Sequence, residues 1–244
     1  MSGAPGRGRP AVWAHRGAST VRPENTVAAF AAAVEMGADG VELDVHRSAD
    51  GHLVVHHDAE HPRLGVLAHL DLAEIRAGAP EIPTLDEALD ACPGIVVNVE
   101  VKNLPVDADY DPDERAAAEV VALVSRRGIH DRVIVSSFNL DTIDRVRSTD
   151  PRVPTGWLTM GGFDPLEAVD IAADRGHRAV HPLFSELLGD RGTQVCHRAH
   201  DLGLRVNTWT VDDPGLLVAL AASGVDAVIT NVPDVALRAL GRRG

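Results

Sequence analysis

The chain reads as an α/β protein of the (β/α)8 or TIM-barrel class, with a small extra hairpin strand after the second strand. Three observations predict this. Short β-branched runs alternate eight times with Ala- and Leu-rich amphipathic runs over 244 residues, which matches the unit count and length of a closed barrel. A doubly wound open sheet would show the same alternation, but no Gly-rich dinucleotide loop is present. Finally, His15, Arg16, Glu42, Asp44, Glu100, Lys102, Phe138 and Trp209 all fall at or near predicted strand ends, where barrels of this kind carry their sites.

The first strand is expected at 11–16, ending in His15-Arg16-Gly17, with a helix over 24–37. The second, at 40–46, alternates Val41, Leu43 and Val45 with Glu42, Asp44 and His46, so the pleat sends the apolar and ionisable sets to opposite faces. Asp50-Gly51 marks a hairpin turn into an extra strand at 53–58. By parity that strand turns His57 toward the Glu42 face and His56 away. Thr84 and Glu87 form a capping box opening a helix over 84–92. The third barrel strand, 95–102, repeats the alternation, with Val97, Val99 and Val101 against Asn98, Glu100 and Lys102. A helix follows at 112–127, and the remaining strands are expected at 132–138, 154–159, 179–184, 205–211 and 227–231. Gly128, Gly176, Gly203 and Gly224 stand where helices should stop. The predicted organisation is a flexible tail over 1–10 and one catalytic barrel over 11–244.

If helices cover the valine faces, Glu42, Asp44, Glu100 and Lys102 converge inside the barrel, and buried charges persist only when paired or bound to metal. Lys102 is the only lysine; the other 22 basic side chains are arginine, so this position points to a need for a compact point charge rather than a planar fork. A net charge of −13 argues against nucleic-acid or anionic-membrane partners, so a phosphate ligand needs a locally positive pocket. Cys92 and Cys196 make neither a disulfide framework nor a zinc motif. The segment MSGAPGRGRP has no following apolar stretch, which predicts no signal peptide, no membrane span and a cytoplasmic location.

Nine motifs in order carry a family resemblance: HRG at 15–17, PENT at 23–26, GADGVELDV at 37–45, DG with VVHHD at 50–58, IPTLDEAL at 82–89, NVEVK at 98–102, SSF at 136–138, NTWTV at 207–211 and GVDAVITNVP at 224–233. The chain resembles the compact bacterial glycerophosphodiester phosphodiesterases nearly end to end. That resemblance implies that Glu42, Asp44 and Glu100 hold a divalent cation, that His15 and His57 are the acid/base pair, that Arg16 and Lys102 bind phosphate, and that Trp209 lines the alcohol side. It also implies a small-molecule glycerophosphodiester substrate; oligomeric state is left open. Three carboxylates without thiolate or imidazole make a hard oxygen site suited to Mg²⁺ or Ca²⁺. The pattern departs from the family after HHD, where AEHPRLGVLAHLDL replaces the expected loop. Two alternatives are a lysophospholipase D acting on single-chain lipids and a non-catalytic phosphate-binding barrel.

Of the remaining polar residues, His46 is expected at the rim or behind a site residue, His177 in solvent, and His181 at a strand end within reach of substrate. Glu24 and Asn25 are expected to cap the first helix or brace His15. The DYDPDE run at 109–114 places acid near the third strand's exit.

Overall fold

The computed structural model describes residues 9–242. Of the tail expected over 1–10, residues 1–8 lie outside the described residues. The strands, in chain order, are Ala11–His15 (β1), Gly40–Arg47 (β2), Leu53–Val55 (β3), Glu60–His61 (β4), Gly65–Val66 (β5), Val96–Val101 (β6), Val133–Ser137 (β7), Thr155–Thr159 (β8), Ala179–Pro182 (β9), Arg205–Thr208 (β10) and Ala227–Thr230 (β11). β1, β2 and β6 to β11 run parallel, and β1 pairs with both β11 and β2, which closes the eight-stranded ring. The fold is a TIM barrel.

Helices fill the crossovers: Val27–Glu35 (α1), Leu72–Gly78 (α2), Leu85–Asp90 (α3), Arg115–Arg127 (α4), Leu140–Thr149 (α5), Pro165–Asp174 (α6), Asp190–Asp201 (α7), Pro214–Ser223 (α8) and Pro233–Ala239 (α9). The expected capping box forms at α3, where Thr84 Oγ1 accepts from the Glu87 amide at 3.3 Å and Glu87 Oε2 accepts from the Thr84 amide at 2.8 Å. α4 and α8 stop at Gly128 and Gly224 as the sequence predicts. None of the described helices is long and apolar enough to cross a membrane.

The two faces of β2 and β6 separate as the pleat requires. Val41, Leu43, Val45, Val97, Val99 and Val101 join Phe30 and Ala33 of α1 and Val120 and Val124 of α4 in one buried layer between ring and helices. Each such side chain contributes roughly 1.5–3 kcal/mol on burial, which is what forces Glu42, Asp44, Asn98 and Glu100 inward. Inside the ring, Trp13, Ile134, Ala179, Ala227 and Ile229 form a separate apolar cluster. Cys92 and Cys196 are both buried and unbonded, and burial pushes each thiol up to about 12.

The insertion between β2 and β6 positions part of the site. One edge of β2 serves two partners, with β1 against Gly40 to Glu42 and β3 antiparallel against Val45 to Arg47. The hairpin loop is wider than Asp50-Gly51 alone; Ser48 Oγ donates to Asp50 Oδ1 at 2.7 Å and accepts from the His52 amide at 2.9 Å. β3 ends at Val55 instead of 58, because the chain folds back and the Asp58 carbonyl accepts from His56 Nδ1 at 2.8 Å. The 59–72 segment that departs from the family pattern forms the β4–β5 ribbon and a short turn, and Leu67 packs with Val54, Ile75, Ala79 and Ile82 in a small core of its own.

Candidate active site

Glu42, Asp44 and Glu100 come together at the carboxyl ends of β2 and β6. One carboxylate oxygen from each lies within 4.8 Å of the others, and all three are buried. Register explains the juxtaposition, since Asp44 pairs with Glu100 across β2 and β6 while His15 of β1 pairs with Glu42 from the other side. Burial raises the Glu42 carboxyl well above its ordinary range, and the charges of Asp44 and Glu100 push the same way. Burial also raises Glu100. Asp44 is buried too, but Lys102 and Arg16 outweigh that and bring it down to about 2.

Lys102 Nζ lies 2.9 Å from Asp44 Oδ1 and also bonds Glu100 Oε1. Burial opposes its charge, yet Glu100 and Asp44 hold its pKa above the usual lysine value. Arg16 reaches the cluster from the loop after β1. Its backbone amide donates to Glu42 Oε2 at 3.1 Å, Nη1 donates to Glu24 Oε1 at 2.9 Å, and Nε lies 3.3 Å from Asp44 Oδ2 without hydrogen-bond alignment. The turn that achieves this is tight: Arg16 is left-handed at φ 56, and a Cβ at Gly17 would sit 2.7 Å from the Ala29 backbone. The HRG motif is therefore a packing requirement as well as a chemical one.

With all three carboxylates ionised, Arg16 and Lys102 leave one negative charge uncompensated, which would repel a phosphodiester monoanion and which, without a cation, favours a proton on Glu42. A bound dication reverses that sign. The residues fit such an ion: Glu42 Oε1 is buried with no hydrogen-bond partner, and the donors are all hard oxygens.

The two histidines are held in parallel ways. His15 Nδ1 donates to Asn231 Oδ1 at 2.7 Å, and Asn231 in turn donates through Nδ2 to Asp212 Oδ2 at 2.7 Å. That bond fixes the tautomer, leaving Nε2 free 3.9 Å from Glu42 Oε2. Burial lowers the His15 pKa. His57 Nδ1 pairs with Asp58 Oδ1 at 2.7 Å, and its pKa is lowered as well, again mainly by burial. His57, Glu100, Lys102, Leu104, Phe138 and Met160 line a cavity of 230 Å³ at this mouth. His15, Arg16, Glu42 and Asp44 adjoin it through the contacts above. Trp209 stands edge-on to Phe138 at 5.4 Å and donates Nε1 to the His181 carbonyl at 2.7 Å.

Several expectations change. Asn25 neither caps α1 nor hydrogen-bonds His15: Thr26 is the cap, and buried Asn25, at φ 56, donates Nδ2 to Asp44 Oδ2 at 2.8 Å. Glu24 pairs with Arg16. His181 is wholly buried, accepts from Asn207 at 2.9 Å and is driven down to about 3 by burial, so it stays neutral inside the ring. His177 is buried against Thr155 Oγ1 at 2.9 Å, not solvated. Of the acid of 109–114, Asp109 is taken up by His46 and Asp111 by Arg115, while Glu114 is buried and Asp113 stays exposed. The sequence offers Asn231 only within the GVDAVITNVP motif and Asp109 only within the DYDPDE run, neither with a partner.

A TIM barrel with this constellation at its carboxyl mouth belongs to the barrel hydrolases, and comparison with known proteins narrows the class. Residues 15–235 match the glycerophosphoryl diester phosphodiesterase family. A glycerophosphodiester phosphodiesterase from Caldanaerobacter subterraneus is 32% identical, over 96% of this chain and 98% of its own. The crystal structure of the glycerophosphodiester phosphodiesterase from Thermotoga maritima superposes with a TM-score of 0.81 at 26% identity, covering 95% of this chain and 98% of that one. An Oleispira antarctica phosphodiesterase solved in complex with the product sn-glycerol-3-phosphate gives a TM-score of 0.81 at 26% identity, covering 95% and 97%. The chain belongs to the glycerophosphoryl diester phosphodiesterase family, and it is an enzyme of that class.

Lys102→Arg tests the point-charge argument. A guanidinium cannot take the place of Nζ between Asp44 and Glu100 without moving one of them. Turnover is expected to fall about 10–100-fold, the range for losing a hydrogen bond to a charged group; steady-state kinetics that match the parent would refute the argument.

Proposed function

We propose that the protein hydrolyses glycerophosphodiesters to sn-glycerol 3-phosphate and a small alcohol, with His15 and His57 as the acid/base pair and a divalent cation, Mg²⁺ or Ca²⁺, held by Glu42, Asp44 and Glu100. The observation that carries this reading is the meeting, at one strand-end mouth, of the three buried carboxylates, two phosphate-seeking cations and two histidines with free Nε2 atoms. The cation, when bound, supplies electrostatic stabilisation to a non-bridging phosphate oxygen as charge develops there.

The chain's own residues do the rest. Arg16 and Lys102 bind and orient the phosphate, adding donors where negative charge builds. Asn25 holds Asp44 in place from the α1 side. His15, with Nδ1 committed to Asn231, exchanges a proton only at Nε2, and His57 does the same with Nδ1 on Asp58. One histidine takes the proton from the attacking oxygen and the other delivers one to the departing alcohol oxygen. A 230 Å³ cavity suits a small headgroup better than a large one.

A second reading, lysophospholipase D-type cleavage of a single-chain lipid, draws on Leu104, Phe138 and half-exposed Met160 along the cavity wall. One assay separates the two. Purified protein is expected to release sn-glycerol 3-phosphate from glycerophosphocholine, with release lost in EDTA and restored by Mg²⁺ or Ca²⁺. Inactivity on glycerophosphocholine with metal present, alongside release of choline from lysophosphatidylcholine, would transfer the assignment to the second reading.

A further inference from the structure

His57 sits in a half-buried, loosely held position for a group that must hold its ring to a fraction of an ångström. β3 ends two residues before it. Its only side-chain partner among the described residues, Asp58, is 70% exposed, and a surface pair of this kind orients weakly. Its backbone is held differently. His46, 2% exposed, directs Nε2 at the His57 carbonyl at 3.2 Å, while its Nδ1 lies 2.6 Å from Asp109 Oδ2.

The placement of these three residues follows from the fold. His46 is the next inward-pointing residue of β2 after Glu42 and Asp44, and β3 is laid against this same end of β2. Asp109 comes from the loop between β6 and α4. That loop is braced on its own account, with Asn103 exchanging two hydrogen bonds with the Asp111 backbone and Asp107 Oδ2 accepting from the Leu104 amide. Asp109 is therefore presented to His46 by a loop that does not depend on His46. Both neighbours of the ring are oxygens, a carboxylate and a carbonyl, so the two contacts occupy both ring nitrogens and leave neither for substrate.

We propose that His46 and Asp109 are positioning residues that fix His57 through its backbone carbonyl. The inference rests on the reading of His57 as an acid/base residue. The rigid chain runs from a braced loop through a buried imidazole on a barrel strand to the peptide that carries the His57 ring. Small displacements of a reacting group are costly, and partners behind a functional residue commonly account for about 10–100-fold in activity.

The test is a double-mutant cycle on purified full-length protein with glycerophosphocholine and saturating metal. His46→Phe keeps a ring of similar volume and removes both bonds. On the parent background it is expected to lower kcat about 10–100-fold with KM unchanged. On a His57→Ala background it is expected to cause no further loss, because a residue that acts only through His57 has nothing left to position. Asp109→Ala, in the separately braced loop, gives the same cycle if phenylalanine disturbs packing. Losses that multiply in the double variants, or a rise confined to KM, would overturn the inference and leave the catalytic reading of His57 standing. Full activity in His57→Ala alone would overturn both.

Discussion

Glu42→Gln is expected to slow hydrolysis of glycerophosphocholine by about 1000-fold or more, while making the metal-free protein more stable than its parent. The two effects have one cause. Glu42 is buried, carries an oxygen with no hydrogen-bond partner, and has its pKa raised by burial and by Asp44 and Glu100. The proposed cation removes that penalty, and its loss forfeits several kcal/mol of transition-state charge stabilisation, at a factor of ten for each 1.36 kcal/mol. The sign of the stability effect follows from proton linkage. A carboxyl whose folded pKa lies above its unfolded value, near 4.3, retains a proton in the folded state that the unfolded chain releases, so metal-free stability falls as pH rises above that value. Glutamine cannot ionise and escapes the fall. In EDTA, thermal unfolding of the parent should move to lower temperature between pH 4.5 and 7, and that of Glu42→Gln should move less. Added metal at about 100 times its dissociation constant should stabilise the parent by about 2.7 kcal/mol, or very roughly 5–10 °C for a chain of this size, with little gain for the variant. Equal metal-induced shifts in both proteins would remove Glu42 from the ligand set.

The strand-borne carboxylates of this site are legible in the sequence, and the loop-borne asparagines and Asp109 that support it are not. Glu42, Asp44 and Glu100 are marked by a period of two against valines, which states both that they share a face and that the face points away from the helices. Closure of the ring is not encoded in the alternation of strand and helix, which open and closed sheets share; it rests on the β1–β2 pairing. Asn25 read as a helix opener because it precedes an amphipathic run, yet its left-handed backbone turns the side chain back onto Asp44. Asn231 meets His15 across 216 residues and Asp109 meets His46 across 63, and no local pattern encodes such meetings. Strand parity puts His57 on the pocket side, but β3 ends at Val55. What brings its ring to the cavity is the fold-back at Asp58 and the grip of His46 on its carbonyl, which a pleat count cannot supply.

His15→Ala should lower kcat by about 10²–10⁴-fold, the usual contribution of a positioned acid or base, and should also delete one limb of the pH profile. With both histidines present, kcat/KM requires the base neutral and the acid protonated, so the profile is a bell. Burial lowers both residues below the ordinary value near 6.5, which puts the bell on the acid side of neutrality: activity rises as pH climbs through the base's pKa and falls through that of the acid. His15 has the more rigid support, since its Nδ1 is tied through Asn231 to Asp212, whereas His57 faces the cavity and pairs with exposed Asp58. Removing His15 should leave a profile with a single inflection, and His57→Ala should leave the complementary one. The limb that each variant loses assigns base and acid. If both variants lost the same limb, or either kept the full bell, proton transfer would have to be reassigned. Asp58, Asp107 and the three carboxylates proposed to hold the cation would then be the next groups to replace, because all lie at the same mouth.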